Sequence, residues 1–223
     1  APEKIRVILN GVEPVKKISG AEKTEIRAKY DIKDGDFVMG IMARLNKVKG
    51  HEYIIKTAKT LKDEGRKIKV IIAGVGDEEE SLKKLTKELN LEDTVKFAGF
   101  VEDVSTILNV MDLQLNASYG TEATSLALLE GMSLGIPAVV TQYGGNPGVI
   151  EYGENGFLVP IHDGASLADK IYEVLSNDEL YEKLSCGAKR IFAERFTAES
   201  YSRQIENVYT SVLNEKENGH GKK

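Results

Sequence analysis

Two glutamates, Glu122 and Glu130, stand eight positions apart in the stretch E-A-T-S-L-A-L-L-E. The apolar spacing from Leu126 to Met132 predicts a helix that carries the second of them, with Thr124 or Ser125 as its N-cap. The free N–H groups of a helix N-terminus bind phosphate oxygens, and eight helical residues rise roughly 12 Å. Carboxylates accept hydrogen bonds from hydroxyl groups, so one glutamate towards each end of a bound diphosphate suits a sugar nucleotide. The alternative is that both carboxylates are solvated charges on a surface helix.

The elements that must position these groups alternate between strand and helix along the chain. Strands are predicted at Phe37–Ala43, Val70–Ala73, Val95–Ala98, Leu113–Ala117, Ala138–Thr141 and Phe157–Val159. Helices are predicted at His51–Glu64, Glu78–Leu89, Val104–Val110, Ser125–Leu134 and Leu167–Leu175, followed by two more that end near Leu213. This alternation predicts a Rossmann-like α/β fold, a doubly wound parallel sheet of about six strands with helices on both faces. Ligands of such sheets bind at the carboxyl ends of the strands, where the loops carry Arg44, Gly74–Asp77, Phe100–Val101, Ser118–Thr124 and Gly144–Pro147.

A series of short motifs supports this interpretation because of the order in which they occur. They are L-N-G-V-E (9–13), A-R-L-N-K-V-K-G (43–50), A-G-V-G (73–76), V-K-F-A-G-F-V (95–101), the two-glutamate stretch, G-G-N-P (144–147) and N-G-F-L-V (155–159). Together they resemble the motif series of retaining glycosyltransferase family four, the "glycosyl transferases group one", over roughly residues 5–195. The resemblance implies the C-terminal, donor-binding domain of the GT-B fold, in which two Rossmann-like domains face each other.

The resemblance also implies a role for each matching residue. Arg44 and Lys49 match positions that hold the diphosphate and neutralise the charge that grows on it as the glycosidic bond breaks. Glu130 matches the position that binds ribose hydroxyls, and Glu122 matches the catalytic position that approaches the donor sugar. The remaining matches are Gly74, Gly76, Phe100 and Val101 beside the nucleoside, and Thr124, Ser125 and Leu126 at the helix N-terminus that caps the distal phosphate.

Two positions depart from the family pattern. Between the glutamates the family commonly has G-F-G, where this chain has Ala123, Thr124 and Ser125, so this loop is expected to be less flexible. The family's G-G-x-P-E ends in a glutamate, where this chain has Gly148. Whatever that carboxylate contributes near the sugar is absent here, which leaves the identity of the donor sugar open.

The activity implied by the resemblance is transfer of a hexosyl group from a nucleoside diphosphate sugar to an acceptor, with retention at the anomeric carbon. No metal or other cofactor is expected, and a UDP-sugar is the expected donor, with GDP- and ADP-sugars as alternatives. Two other functions stay open, a GT-B sugar-nucleotide epimerase and a non-catalytic sugar-nucleotide-binding module.

The same resemblance predicts the domain organisation. Residues 1–213 are expected to form a single domain, whose residues 1–15 resemble an interdomain linker, and residues 214–223 a disordered tail. The N-terminal, acceptor-binding domain is expected to be absent from this chain. The isolated domain should therefore bind the donor and transfer little or nothing.

Composition narrows the class of protein further. With 30 Lys and Arg against 35 Asp and Glu, the net charge is -5, so no basic stripe is available to bind nucleic acid. The single cysteine, Cys186, excludes an internal disulfide and fits a reducing compartment. No apolar run approaches about 18 residues, and no signal peptide is expected. A cytoplasmic location without a transmembrane segment is expected, with peripheral membrane association of the full enzyme as an option. His51 and His162 are predicted to be solvated residues without a catalytic role.

Overall fold

A six-stranded parallel sheet forms the centre of the computed structural model, which describes residues 5–220. The strands are β1 (Phe37–Met42), β2 (Ile68–Ala73), β3 (Val95–Gly99), β4 (Leu113–Asn116), β5 (Ala138–Thr141) and β6 (Gly156–Val159). Their order across the sheet is β3-β2-β1-β4-β5-β6, with every neighbouring pair parallel. The predicted doubly wound sheet is confirmed, and all six predicted strands lie within two residues of the observed ends.

Helices connect the strands and cover both faces of the sheet. They are α1 (Gly20–Lys29), α2 (His51–Asp63), α3 (Glu79–Glu88), α4 (Ser105–Leu108), α5 (Leu126–Leu134), α6 (Asn146–Val149), α7 (Gly164–Leu175), α8 (Asp178–Ile191) and α9 (Ala198–His220). Helices α2, α3 and α7 pack on one face, whereas α1, α4 and α5 pack on the other.

The sequence of β1, F-V-M-G-I-M, explains why the sheet is covered twice. The neighbouring residues Val38 and Met39 are both fully buried, although successive side chains of a strand point to opposite faces. Met39 packs with the α2 side and Val38 with the α4 side. A continuous apolar run of this kind is typical of a parallel strand that is buried on both faces.

Helix α1 was not predicted, although the sequence carries a signal for it. Ser19 and Glu22 form a capping box, in which the amide of Ser19 donates to Glu22 Oε2 (2.8 Å) and the amide of Glu22 donates to Ser19 Oγ (3.2 Å). The pattern S-x-x-E before a helix is a recognised start signal. Helix α1 has a weak apolar face and no buried residue, so apolar periodicity does not indicate it.

The N-terminal segment of the described chain pairs with the start of α9. The amide of Val12 donates to the carbonyl of Phe196 (3.0 Å), and the amide of Ala198 donates to the carbonyl of Val12 (3.0 Å). Helix α9 is described through His220, whereas residues 214–223 are predicted to form a disordered tail. Glutamate and lysine are good helix formers, and extending an existing helix costs little.

Residues 221–223 of the predicted tail lie outside the described residues. None of the described helices is both long and apolar enough to cross a bilayer.

Candidate functional site

The switch point of the sheet lies between β1 and β4, where the chain connections leave in opposite directions and where ligands of such sheets bind. Two loops meet there. The loop after β1 ends in a short 3-10 turn, Lys47–Lys49, and Gly50 then adopts a left-handed conformation (φ 69°). A Cβ on Gly50 would lie 2.2 Å from the carbonyl oxygen of Ala117. The β1 loop is thereby held against the end of β4, and the amide of Tyr119 donates to the carbonyl of Val48 (2.9 Å).

This contact brings Lys49 and Glu122 together. Lys49 Nζ donates to Glu122 Oε2 at 2.8 Å and to the carbonyl of Thr121 at 3.2 Å. The two side chains are 16% and 7% exposed. Asn116 Nδ2 (3.1 Å) and Ser118 Oγ (2.9 Å) donate to the same Oε2 atom. One carboxylate oxygen of Glu122 therefore accepts three hydrogen bonds.

The charge state of Glu122 follows from these neighbours. Burial raises the pKa of the Glu122 carboxyl, but the hydrogen bonds from Lys49, Asn116 and Ser118 and the charge of Lys49 outweigh burial and hold the pKa below its usual range. Hydrogen bonds and a positive charge stabilise the ionised form. At neutral pH Glu122 is consequently an ionised acceptor rather than a proton donor.

Asn116 is not among the predicted site residues, and Ser118 is included there only as the first residue of the Ser118–Thr124 loop, yet both contact Glu122. Both are buried, at the carboxyl end of β4. A signal was present, because polar residues in the otherwise buried run L-Q-L-N-A-S need hydrogen-bonding partners. What the sequence does not show is that this partner is Glu122.

Two glycines after β5 support the loop that carries Glu122. The amide of Gly145 donates to the carbonyl of Glu122 (3.0 Å). A Cβ on Gly144 would lie 2.0 Å from the same carbonyl oxygen, and a Cβ on Gly145 would lie 1.4 Å from the carbonyl oxygen of Ala123. The G-G pair of the G-G-N-P motif is therefore required for close backbone packing.

Replacing Gly145 by alanine should lower the free energy of unfolding by about 2 kcal/mol, because the new methyl group displaces the backbone of Ala123. Chemical denaturation measures this change. The matched control is Gly20→Ala at the first residue of α1, where a Cβ meets nothing within 4 Å and the change should stay within about 0.5 kcal/mol. Equal effects at the two positions would contradict the packing described here.

A cavity of about 380 Å³ opens beside the loop after β1. It is lined by Met42, Ala43, Arg44, Ala73, Gly74, Val75, Phe100 and Val101. Phe100 is 76% exposed and Val75 is 48% exposed, so the cavity offers apolar surface to a planar base. Four residues predicted to surround the nucleoside or its diphosphate (Arg44, Gly74, Phe100 and Val101) are brought together here. A larger groove of about 770 Å³ lies between α2 and α7, and none of the predicted site residues lines it.

Gly76 lies apart from this cavity. A Cβ at Gly76 would be 2.3 Å from the carbonyl oxygen of Leu45, and one at Gly74 would be 2.0 Å from that of Ala43. Both glycines therefore allow the loop after β2 to pack against the loop after β1. This packing accounts for Gly76 without a ligand, and its predicted approach to the nucleoside stays a prediction.

Helix α5 begins at one of the two N-cap residues that the sequence predicts. Ser125, not Thr124, is the N-cap, and its Oγ accepts a hydrogen bond from the amide of Leu128 (3.4 Å). The first helical residue, Leu126, is 47% exposed, so this helix begins at the protein surface, and the first amides of a helix have no intrahelical partner. Glu130 follows one turn later, half-buried, and burial raises the pKa of its carboxyl. Among residues 5–214, no side chain donates a hydrogen bond to this carboxyl group, so its oxygen atoms are available to hydroxyl groups of a ligand.

The prediction that His51 is solvated is wrong. The ring is 2% exposed, and neither ring nitrogen has a hydrogen-bonding partner in the described part of the chain. The left-handed turn at Gly50 directs the first residue of α2 inwards, towards a cavity of about 260 Å³ between α2 and α3. Burial, and then the charge of Lys49, lower the pKa of His51 to about 4. His162 is exposed, as predicted, and its Nδ1 lies 2.8 Å from the hydroxyl oxygen of Tyr53.

Comparisons with known proteins identify the family of this chain. The family model "Glycosyl transferases group 1" matches residues 22–191. N-acetyl-alpha-D-glucosaminyl L-malate synthase of Bacillus anthracis is 30% identical over 199 residues, which are 89% of this chain and 51% of that protein. The chain spans about half the length of the curated relatives that it matches.

Solved structures extend the comparison. HepE of Anabaena in complex with UDP and glucose is 26% identical and superposes with a TM-score of 0.84, over 92% of this chain and 56% of HepE. The C-terminal domain of the group 1 family glycosyl transferase LpcC from Francisella tularensis is 23% identical, with a TM-score of 0.70, over 82% of this chain and 96% of that domain. The second likeness concerns the fold alone, and it pairs this chain with nearly the whole of a C-terminal domain.

Proposed function

Because this chain belongs to the glycosyl transferases group 1 family, we propose that it is the donor-binding domain of a retaining enzyme that transfers a hexosyl group from a nucleoside diphosphate sugar. One observation carries the proposal. The Lys49–Glu122 pair, the exposed N-terminus of α5 and the cavity bordered by Arg44 and Phe100 all lie at the carboxyl ends of parallel strands. This is where an α/β sheet of this topology binds its ligand.

The proposed donor is a UDP-sugar. Supporting this choice, solved structures of HepE contain UDP with glucose, or UDP-glucose. The base would fill the cavity beside Phe100 and Val101, and the ribose hydroxyls would donate to Glu130. The diphosphate would meet the free amides of Ser125 and Leu126.

Lys49 and Arg44 would stabilise the diphosphate as it leaves. An ammonium group has three N–H donors, and Lys49 uses two of them, on Glu122 and on the carbonyl of Thr121. The third is available for a phosphate oxygen, whereas the exposed Arg44 can offer its whole guanidinium group. As the glycosidic bond breaks, charge grows on the diphosphate and these cations neutralise it. The departing diphosphate then accepts the proton of the acceptor hydroxyl on the same face of the sugar.

The acceptor is proposed to bind mainly to a second domain. The length comparison supports this proposal, since the chain covers only about half of its matched relatives. The chain by itself should therefore bind donor and transfer little or no sugar.

Calorimetric titration of this chain with UDP, GDP and ADP tests the proposal. UDP is expected to bind, and Arg44→Ala and Glu130→Ala should each weaken that binding about tenfold or more, because each removes a charged partner of the nucleotide. A matched pair of control variants is Arg190→Ala and Glu154→Ala. Those two residues form an ion pair at 3.7 Å. Glu154 precedes β6, the outer strand farthest from β3 and the cavity beside it.

The controls should leave UDP binding within about twofold of the wild type. A folded wild-type chain that binds none of the three nucleotides would overturn the proposed function. Preferential binding of GDP or ADP would keep the donor-binding role and correct the base.

A further inference from the structure

The two carboxylate oxygens of Glu122 have different surroundings. The donors from Lys49, Asn116 and Ser118 all converge on Oε2. None of these hydrogen bonds uses Oε1, so that atom keeps its lone pairs. Because a carboxylate oxygen that accepts three hydrogen bonds is saturated, any further ligand of Glu122 has to bind through Oε1.

The neutral donors to Oε2 are themselves fixed by hydrogen bonds. Asn116 is 5% exposed and Ser118 is fully buried. Asn116 Oδ1 accepts a hydrogen bond from the amide of Ser118 (3.0 Å), and Thr141 Oγ1 donates to the carbonyl of Ser118 (2.5 Å). Asn146 Nδ2 in turn donates to the carbonyl of Thr141 (2.9 Å). This network runs from β4 through β5 to α6, so the position of Oε2 is tied to the rigid part of the sheet.

The loop that carries Glu122 contains a residue with a strained backbone conformation. Thr121 has a φ of 46°, which is costly for a β-branched residue. The Lys49 ammonium holds both the carbonyl of Thr121 and the carboxylate of Glu122. Local strain that the surroundings hold in place is a feature of ligand-binding sites.

We propose that Asn116 and Ser118 are positioning residues that fix the Glu122 carboxylate with Oε1 directed at the donor sugar, where it accepts a hydrogen bond from a sugar hydroxyl. This inference rests on the proposed function, since it concerns the sugar half of the same donor site. The family resemblance already implies that Glu130 binds the ribose and that Glu122 approaches the sugar, and Asn116 and Ser118 add the orientation of Glu122. Asn116 and Ser118 then affect the sugar alone, because neither lines the nucleoside cavity.

The first test compares ligands with and without the sugar. Ser118→Ala and Asn116→Ala should weaken binding of UDP-glucose or UDP-N-acetylglucosamine about fivefold to tenfold, since one orienting hydrogen bond is lost. Binding of UDP should stay within about twofold. Thr86→Val, which removes another buried hydroxyl on α3, should change neither ligand. A parallel loss of UDP and of the UDP-sugars, or no loss of either, would overturn the inference.

The second test needs no ligand and remains available if the proposed function fails. Carboxyl NMR titration of the free chain, with the Glu122 signal identified by its absence in Glu122→Gln, measures the pKa of Glu122 directly. In the wild type this pKa should lie below the usual glutamate value, and it should rise in Ser118→Ala because a hydrogen bond to the ionised form is lost. An unchanged pKa in both Ser118→Ala and Asn116→Ala would overturn the positioning role. Absence of nucleotide binding by the wild type would instead overturn the proposed function and leave this measurement intact.

Discussion

Replacing Lys49 by methionine should lower the free energy of unfolding by about 3 kcal/mol, because it leaves the buried carboxylate of Glu122 without its counter-charge. Removing one member of a buried ion pair costs more than the pair is worth, since the remaining charge has lost both water and partner. The hydrogen bonds from Asn116 and Ser118 persist, which places the expected loss at the low end of the usual range. Urea denaturation at pH 7 measures it.

Two further variants show whether the effect comes from the stranded charge. The double variant Lys49→Met/Glu122→Gln leaves no unpaired charge at this position. Its loss in the free energy of unfolding should therefore be smaller than the sum of the losses of the two single variants by about 1–2 kcal/mol. Lys59→Met removes an exposed partner of Asp63 on α2 and should cost no more than about 0.5 kcal/mol. If Lys49→Met is as mild as Lys59→Met, the pair at the switch point does not stabilise the loop.

The sheet and one half of the site could be predicted because their signals are local. Each strand is a short, mainly apolar run, and all except the edge strand β3 are largely buried. Arg44, Gly74 and Phe100 follow β1, β2 and β3, and the carboxyl ends of parallel strands necessarily share one edge. Their convergence on one cavity therefore follows from the element order. The N-cap of α5 was likewise reduced to two candidates by residue type alone.

The inner half of the site depends on contacts between distant residues. Lys49 and Glu122 were assigned to the diphosphate and to the sugar separately, but the structure makes them one ion pair across 73 positions of sequence. The pairing depends on Gly50, because its missing side chain allows the loop after β1 to pack against the carbonyl of Ala117. Such a contact depends on the path of two loops in space, which residue spacing along one loop does not specify.

The burial of His51 has the same origin. Residue type and position indicated a solvated start of α2, since histidine is polar and the preceding turn is rich in lysine. The left-handed Gly50 rotates the helix start so that the first side chain faces α3. The φ angle of Gly50 thus determines whether the His51 side chain is solvated or buried. The presence of a glycine in the sequence does not reveal which φ angle it adopts.

The buried His51 should make the protein less stable in acid by about 3 kcal/mol between pH 7 and pH 4. Its pKa is lowered from 6.5 to about 4 in the folded chain, by burial first and then by Lys49, whereas the unfolded chain keeps the ordinary value. Below pH 6.5 His51 binds a proton in the unfolded state but not in the folded state. The free energy of unfolding therefore falls by up to about 1.4 kcal/mol per pH unit, until His51 is also protonated in the folded state near pH 4. This loss adds to that of the carboxylates, so it has to be isolated by comparison with a variant.

His51→Gln isolates it, because glutamine is polar and does not titrate. Urea denaturation of wild type and variant at pH 7, 6, 5 and 4 should give curves that converge or cross as the pH falls, their difference changing by about 3 kcal/mol. The same substitution at the exposed His162 is the matched control for replacing a histidine by glutamine. The alternative is that the cavity beside His51 admits enough water to solvate a charged ring. The His51→Gln profile would then run parallel to that of the wild type, and the histidine would be a packed residue whose charge the fold tolerates.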